Sequence, residues 1–305
     1  MDLFEKYGAS PRELAMNSQS PHKLHERVIR KLQEMDPPKI RVALGTADMD
    51  TSSHFITRIE PSQTSRAIAE KTIASQYVFA LLWDKYLKDQ NSEMEAFYRL
   101  SLNNSNMAAV AGWVFESRMH QLLRSGRTIQ LFPIRRSSLG PVVVIYRDYI
   151  ASRQRLDPTP LTLHASPDCL FREGEQLTSG KYYRAPKVNF PAVDSLFFIE
   201  PPDEPSPILL MFQITQNHSE HDANSLGLDA VGRLVPPNTR KWYVVVTPVD
   251  IEPGIKVARK YFSDQGVDVK NVEGADALLR VFHCLIPTQN MFLHESDLEP
   301  GLLQL

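Results

Sequence analysis

The sequence predicts an α/β protein, a mixed central sheet with helices packed around it. Short runs rich in β-branched and aromatic residues, Ser195–Ile199, Ile208–Thr215 and Trp242–Val246, read as strands. Their near-continuous apolar character fits strands buried on both faces. The segment PPDEPSP at 201–207 is a turn between the first two. Helical patterns at about 222–234, 253–264 and 274–285 follow, which gives the order helix, strand, strand, insertion, strand, turn, strand, helix, strand, helix.

Taken in order, residues 1–35 carry helical signals, and Pro21 opens a stretch with Leu24, Val28 and Leu32 at four-residue spacing. Residues 36–65 mix strand-like pieces, Ile40–Leu44 and Phe55–Ile59, with polar turns. A long helix is expected from about Ser65 to Tyr86, with Ile68, Ile73, Tyr77, Val78, Leu81 and Leu82 as its apolar stripe. The polar run LNNSN marks a soft boundary near Asn103–Ser105. Beyond it, Ala108–Leu123 reads as a helix with Val110, Val114 and Leu122 on one side. Thr128–Ile134 and Val142–Tyr146 read as strands, with Leu161–His164 as a further candidate. The expected organisation is a helical tail (1–35), an accessory α/β region (36–104) and a main domain (105–305).

Bulk properties narrow the class. The chain has 305 residues, enough for a sizeable core, and a net charge of −2, so any surface for a polyanion must be local. Its two cysteines, Cys169 and Cys284, form no CxxC pattern. That argues against a cysteine zinc site and a disulfide framework, and for a reducing compartment. The N-terminus MDLFEKYGASPRELAMN has no apolar core of signal-peptide length, and no apolar run is long enough to span a bilayer. The expectation is a soluble, intracellular protein.

Candidate chemistry comes from acids at strand ends. Hard divalent cations take oxygen ligands, mainly carboxylates, and phosphodiester hydrolysis uses such metals to activate water and steady the leaving oxygen. Asp194, in PAVDSLFF, stands immediately before an apolar strand. Gln213 and Thr215, in ILLMFQIT, lie late on the next strand, two apart and so on one face. A hairpin through PPDEPSP would bring Asp194 beside Gln213. Glu116, in GWVFESRMH, sits on the preceding helix, with Gly112 one turn earlier to permit a close approach.

A helix with GxxFE, a strand starting at Asp194, a strand ending in QxT, then a helix and the strand WYVVVTP together resemble the restriction-endonuclease-like PD-(D/E)xK fold. More narrowly, residues 105–285 resemble the nuclease domain of Crinkler effectors and retrotransposon-hot-spot proteins. The resemblance implies a metal-dependent deoxyribonuclease, with Glu116, Asp194 and Gln213 around Mg²⁺ or Mn²⁺ and a histidine, His221 or His218, after the QxT. It also implies delivery to a host nucleus. FEKYGASPREL is similar to the end of a P-loop NTPase module, with Arg12 in the sensor position; no GxxxxGK[ST] loop is present.

The chain departs from the family motif at two places: Gln213 replaces a carboxylate and Thr215 stands where the lysine belongs. Lys181, Lys187, His120, His218 and His221 are the candidates to replace that lysine, and residues alone do not choose among them. Between Arg118 and Arg155 there are eight arginines (118, 124, 127, 135, 136, 147, 153, 155) and one acid, Asp148. Phosphate contacts from Arg118, Arg124, Arg127, Arg135 and Arg136 would give salt-dependent, largely sequence-independent affinity. Three functions are therefore expected: a metal-dependent DNA endonuclease acting as an effector or toxin, a degenerate nuclease that binds nucleic acid or a host protein without cutting, or a module reporting to an upstream NTPase.

Overall fold

The computed structural model describes residues 3–8, 20–45, 55–61, 69–87, 91–133, 142–145, 159–172, 174–185, 190, 192–201, 206–216, 221–248, 255–258, 279–286 and 291–292. The chain forms two compact units, Met1–Arg118 with Phe292–His294, and Met119–Met291 with Glu295–Leu305. The division falls inside the helix Ala108–Arg124. No helix among the described residues is long and apolar enough to cross a membrane.

In the first unit, the helix Pro21–Glu34 begins on a proline, whose missing N–H has no partner to lose in a first turn. Its four-residue spacing buries Leu24, Val28 and Leu32. The expected strand at Ile40–Leu44 is instead part of the helix Pro37–Gly45. Asp36 Oδ1 accepts from Lys39 N–H at 2.9 Å and caps that helix, both prolines fall in the tolerated first turn, and Ile40, Ala43 and Leu44 are buried at helical spacing.

Within the expected long helix from Ser65 to Tyr86, residues 65–68 lie outside the described residues, Ala69–Ile73 is a strand, and the chain is helical from Gln76 to Leu82 and, as a π-helix, from Trp83 to Leu87. Strands β1 (Thr57–Pro61) and β2 (Ala69–Ile73) form an antiparallel pair. Ser75 then caps the helix Gln76–Leu82 by accepting from Val78 N–H at 3.1 Å, and the stripe at Tyr77, Val78, Leu81 and Leu82 belongs to that helix. The helix Asn91–Leu102 had no counterpart in the sequence reading.

The short helix Leu3–Tyr7 and the glycine after it pack on Ala74, Ser75 and Tyr77 of this unit. Gly8, at φ +59°, lies so close to Ala74 that a Cβ would stand 2.0 Å from its carbonyl oxygen. Ser75 Oγ donates to the Lys6 carbonyl at 2.7 Å. Lys6 Nζ lies 4.5 Å from the Tyr77 ring centroid, and the Tyr7 ring meets Tyr77 edge-on at 5.3 Å.

The second unit carries β3 (Thr128–Pro133), β4 (Val142–Ile145), β5 (Thr159–Thr162), β6 (Asp168–Leu170), β7 (Lys181–Arg184), β8 (Ser195–Ile199), β9 (Ile208–Ile214), β10 (His221–Ala223), β11 (Arg240–Pro248), β12 (Ile255–Ala258) and β13 (Leu279–Ile286). Eight of these make one sheet in the order β5-β3-β13-β11-β9-β8-β7-β6, and β10-β12-β4 make a small one. In the large sheet β7, β8 and β9 run antiparallel in succession, while β9, β11 and β13 are parallel. A parallel step needs a crossover. Between β9 and β11 it includes the helix Ser225–Gly232, capped by Asn224 Oδ1 accepting from Leu226 N–H at 2.9 Å.

The strands expected to be buried on both faces are so: every residue of β8 is buried, all of β9 but Gln213, and all of β11 beyond its first two residues. On one face Leu196, Phe198, Leu209, Met211, Tyr243 and Val245 pack against Leu228 and Val231 of the Ser225–Gly232 helix. Each fully buried aliphatic or Phe side chain of this kind contributes about 1.5–3 kcal/mol.

Two expected helices are corrected in this unit. Leu279–Ile286, which overlaps the described part of the pattern at 274–285, is β13, parallel to β11. A continuous apolar run does not separate a buried strand from a buried helix, and here the open parallel edge of β11 decides. Ile255–Ala258, within the pattern at 253–264, is β12.

Candidate functional site

Asp194 stands at the head of β8 and is pinned through its backbone from both sides. Its N–H donates to Phe212 carbonyl at 2.8 Å, and its carbonyl accepts from Ala185 N–H at 3.1 Å. Its side chain turns to the end of β9, where Oδ2 accepts from Ile214 N–H at 2.6 Å and from Gln213 Nε2 at 2.8 Å. The hairpin read from PPDEPSP thus brings Asp194 and Gln213 together. Register explains the match: Ser195 pairs with Phe212, so the residue before β8 meets the two residues after it on β9.

Gln213 shares the face of Leu209 and Met211, and along β11 it pairs with Val245. On this face the Tyr243 hydroxyl, buried in β11, donates to Ala192 carbonyl at 2.8 Å and lies 3.5 Å from Gln213 Oε1. Ala192 has φ 84°, a left-handed conformation that costs an alanine free energy and persists where neighbours over-determine it. Tyr243 therefore braces the turn that delivers Asp194 and stands beside Gln213 as well.

The opposite face holds a second polar chain. Tyr182 OH donates to Ser195 Oγ at 2.7 Å and lies 2.6 Å from His120 Nδ1, with all three residues buried. Burial pushes the Tyr182 phenol far above its ordinary value, so it stays protonated and works as a donor. Across the sheet, Thr247 Oγ1 and His283 Nε2 are 2.8 Å apart, and burial lowers the His283 imidazole to about 4. His283 pairs with Val245, and Val245 with Gln213, so the three form one row across three parallel strands.

The other expected site residues are placed as follows. Glu116 lies on the Ala108–Arg124 helix, in the portion belonging to the first unit, whereas Asp194, Gln213, Thr215 and His221 belong to the second. A Cβ on Gly112 would meet no heavy atom within 4 Å, so the expected close approach there is absent among the described residues. Thr215 is buried, and its N–H donates to Val246 carbonyl at 3.0 Å, extending the pairing of β9 with β11. His221 opens β10, Lys181 is exposed at the start of β7, and His218, Lys187 and Arg12 lie outside the described residues. Of the arginines, Arg118 is buried and Arg127 half-buried. Arg124 lies 3.5 Å from Asp168, whose carboxylate also takes Arg184 at 2.7 Å. Arg135, Arg136, Arg147, Arg153 and Arg155 lie outside the described residues.

Among the described residues no three of His, Cys, Asp and Glu gather as a metal-ligand group. Magnesium, however, is commonly held by one or two carboxylates, with water and substrate phosphates completing its octahedron. Asp194 supplies a carboxylate. Gln213 presents its nitrogen to that carboxylate, so its carbonyl oxygen joins the set only if the amide turns over. In the orientation shown, Asp194 Oδ2 already takes two N–H donors, so the pair as it stands does not offer a hard divalent cation a fitted set of oxygens.

Sequence reasoning passed over Tyr243, Ala192, Tyr182 and Ser195. A signal existed for the tyrosines: a hydroxyl inside a strand destined for burial, as in KYYR and KWYVVV, needs a partner. No protein-family model, curated protein or solved structure matches this chain.

Proposed function

We propose that the chain is a restriction-endonuclease-like module of the Crinkler or retrotransposon-hot-spot type, acting on DNA as a metal-dependent endonuclease through Asp194 and Gln213. The observation that carries this reading is the Asp194 Oδ2–Gln213 Nε2 contact of 2.8 Å between the head of β8 and the end of β9. It occurs within the order helix Ala108–Arg124, β3 to β10, helix Ser225–Gly232, β11. That succession supports the resemblance, which rests on an acid-bearing helix, a strand begun by aspartate, a strand ended by QxT, a helix and a strand. The resemblance assigns Mg²⁺ or Mn²⁺ to Glu116, Asp194 and Gln213, and such an ion would supply water activation and stabilisation of the leaving oxygen. The chain's own part is positioning: two backbone bonds and the Ile214 N–H fix Asp194, while Arg127 and exposed Lys181 contribute cationic charge in this unit.

Supercoiled plasmid incubated with Mg²⁺ or Mn²⁺ tests the reading. Nicking that is lost in Asp194→Ala supports it; no nicking, or nicking indifferent to that substitution, overturns it. Glu116, which the resemblance adds, is tested in the same assay as Glu116→Gln.

A second reading, a degenerate nuclease that binds nucleic acid or a host protein without cutting, is favoured by one observation: the position of the motif lysine is held by the buried Thr215. It predicts DNA binding that weakens with salt, is lost on charge reversal of Arg135 and Arg136, and proceeds without cleavage. An upstream NTPase module and a host-nuclear destination follow from the resemblance alone and are proposed on that ground.

A further inference from the structure

We propose that Arg124 and Arg184, held together by Asp168, form a seat for one phosphodiester of the DNA backbone. The inference rests on the nucleic-acid binding that both readings above share, and it names the residues and the group they hold. Asp168 takes Arg184 side-on, with Nε 2.9 Å from Oδ1 and Nη2 2.7 Å from Oδ2. Arg124 approaches the same Oδ2 through Nη1 at 3.5 Å, a charge contact rather than a hydrogen bond. Two guanidinium groups thus share one carboxylate, which leaves positive charge in excess. A guanidinium has five N–H donors, and the fork to Asp168 engages only the Nε and Nη2 side of Arg184. The arginine side chains are 38% and 46% exposed, against 25% for Asp168. More of each cation than of the anion therefore faces solvent, which suits a planar, multi-donor contact to a phosphate oxygen pair.

Local structure sets the two arginines in place. His120 and Arg124 are four apart on the helix Ala108–Arg124, and Tyr182 and Arg184 are two apart on β7, so each pair shares a face. The inner members meet in the buried layer, His120 Nδ1 lying 2.6 Å from the Tyr182 hydroxyl. The outer members then stand at the exposed margin with Asp168 between them. The segment 165–168 stitches the helix end to β7. Ser166 N–H donates to the Arg124 carbonyl at 3.0 Å, Ser166 Oγ accepts from Tyr182 N–H at 2.8 Å, and Asp168 pairs with Tyr182 in the sheet. Gly126, at φ +85°, lets this segment come close, since a Cβ there would stand 2.7 Å from the Ala165 nitrogen. On its other side Arg184 pairs across the strands with Ser195, the residue after Asp194. A phosphodiester on these arginines thereby brings the DNA backbone to the head of β8.

The experiment measures binding of a fluorescein-labelled DNA duplex to the full chain by anisotropy, over a salt series in EDTA so that cleavage plays no part. Arg124→Gln and Arg184→Gln should each weaken binding on the order of tenfold, the worth of a charged hydrogen bond, and flatten the slope of log Kd against log salt by about 0.9. The charge-matched control is Arg99→Gln, at an exposed position paired with Glu95 on the helix Asn91–Leu102, and it should leave both quantities unchanged. An equal loss in the control assigns the effect to net charge and overturns the inference. Native affinity in Arg124→Gln and Arg184→Gln overturns it as well, while plasmid nicking by the native chain, scored separately, decides the endonuclease reading. No duplex binding by the native chain overturns the inference and the shared nucleic-acid reading together. A second measurement needs no substitution and so does not depend on a variant folding: bound duplex should shield Arg124 and Arg184 of the native chain from phenylglyoxal. Modification of both at the same rate with and without duplex overturns the inference.

Discussion

Tyr182 donates its hydroxyl to Ser195 Oγ at 2.7 Å, one residue along the chain from Asp194, with neither side chain open to solvent. Tyr182→Phe deletes that hydroxyl and leaves buried Ser195 and His120 each short of a partner. The expected loss is about 1–3 kcal/mol of unfolding free energy, read from urea denaturation. Adding Ser195→Ala should cost less than the sum of the two single changes, because the serine then has no partner left to miss.

His283 makes the second unit sensitive to mild acid. Its imidazole protonates near 4 in the folded chain against an ordinary 6.5, because burial disfavours the charged form. Between those values the unfolded chain binds more protons, so stability present above about pH 6.5 is lost as the pH falls toward 4. The loss is on the order of 3 kcal/mol. Urea unfolding at pH 7.5 and pH 5 in parallel on the native chain and on His283→Gln checks this. The pH-dependent difference should shrink in the variant, and an unchanged difference would assign it to other groups.

Gln213→Glu places a second carboxylate against Asp194. With chelator present, like charges at hydrogen-bond distance should lower stability by roughly 1–3 kcal/mol, and Mn²⁺ should restore it by binding the folded state alone. Melting curves with EDTA and with Mn²⁺ report both effects. A variant indifferent to Mn²⁺ would count against a cation position at this pair.

Gly8→Ala tests how the N-terminal helix is held in the first unit. The added methyl would meet the Ala74 carbonyl oxygen at 2.0 Å on a backbone with φ +59°. Backbone lies on both sides of the clash, so no side chain can yield, and the Leu3–Tyr7 helix should detach. Amide exchange of residues 3–8 and 76–82 should accelerate by a factor of ten or more, about 1.4 kcal/mol of local stability, while exchange in β8 and β9 stays unchanged.

How much of this was legible in the sequence follows from which forces are local. Strands β8, β9 and β11 were readable because burial on both faces writes itself as an apolar run, and Ser195–Ile199 begins and ends where the sequence placed it. The Asp194–Gln213 contact was readable because a single hairpin links the two. Ile40–Leu44 misled because Ile40 and Val42 favour strands while the deciding cap, Asp36 to Lys39, lies outside the run. The pattern at 274–285 misled for a different reason: β13 exists as a strand because β11 offers it an edge, a fact distant in sequence. The role of Tyr243 was out of reach, since it depends on register across β9 and β11 and on the backbone of Ala192.

The two cysteines, too few for a disulfide framework, separate cleanly by reactivity. Burial pushes the Cys284 thiol up to about 12, and the residue sits within β13 with no exposure, whereas Cys169 lies half-buried on β6 at the sheet margin. Thiolate is the form that alkylates. A reagent such as iodoacetamide should therefore mark Cys169 in the native chain and reach Cys284 only when the sheet parts. The lag between the two labels is a built-in stopwatch for opening at the centre of the sheet.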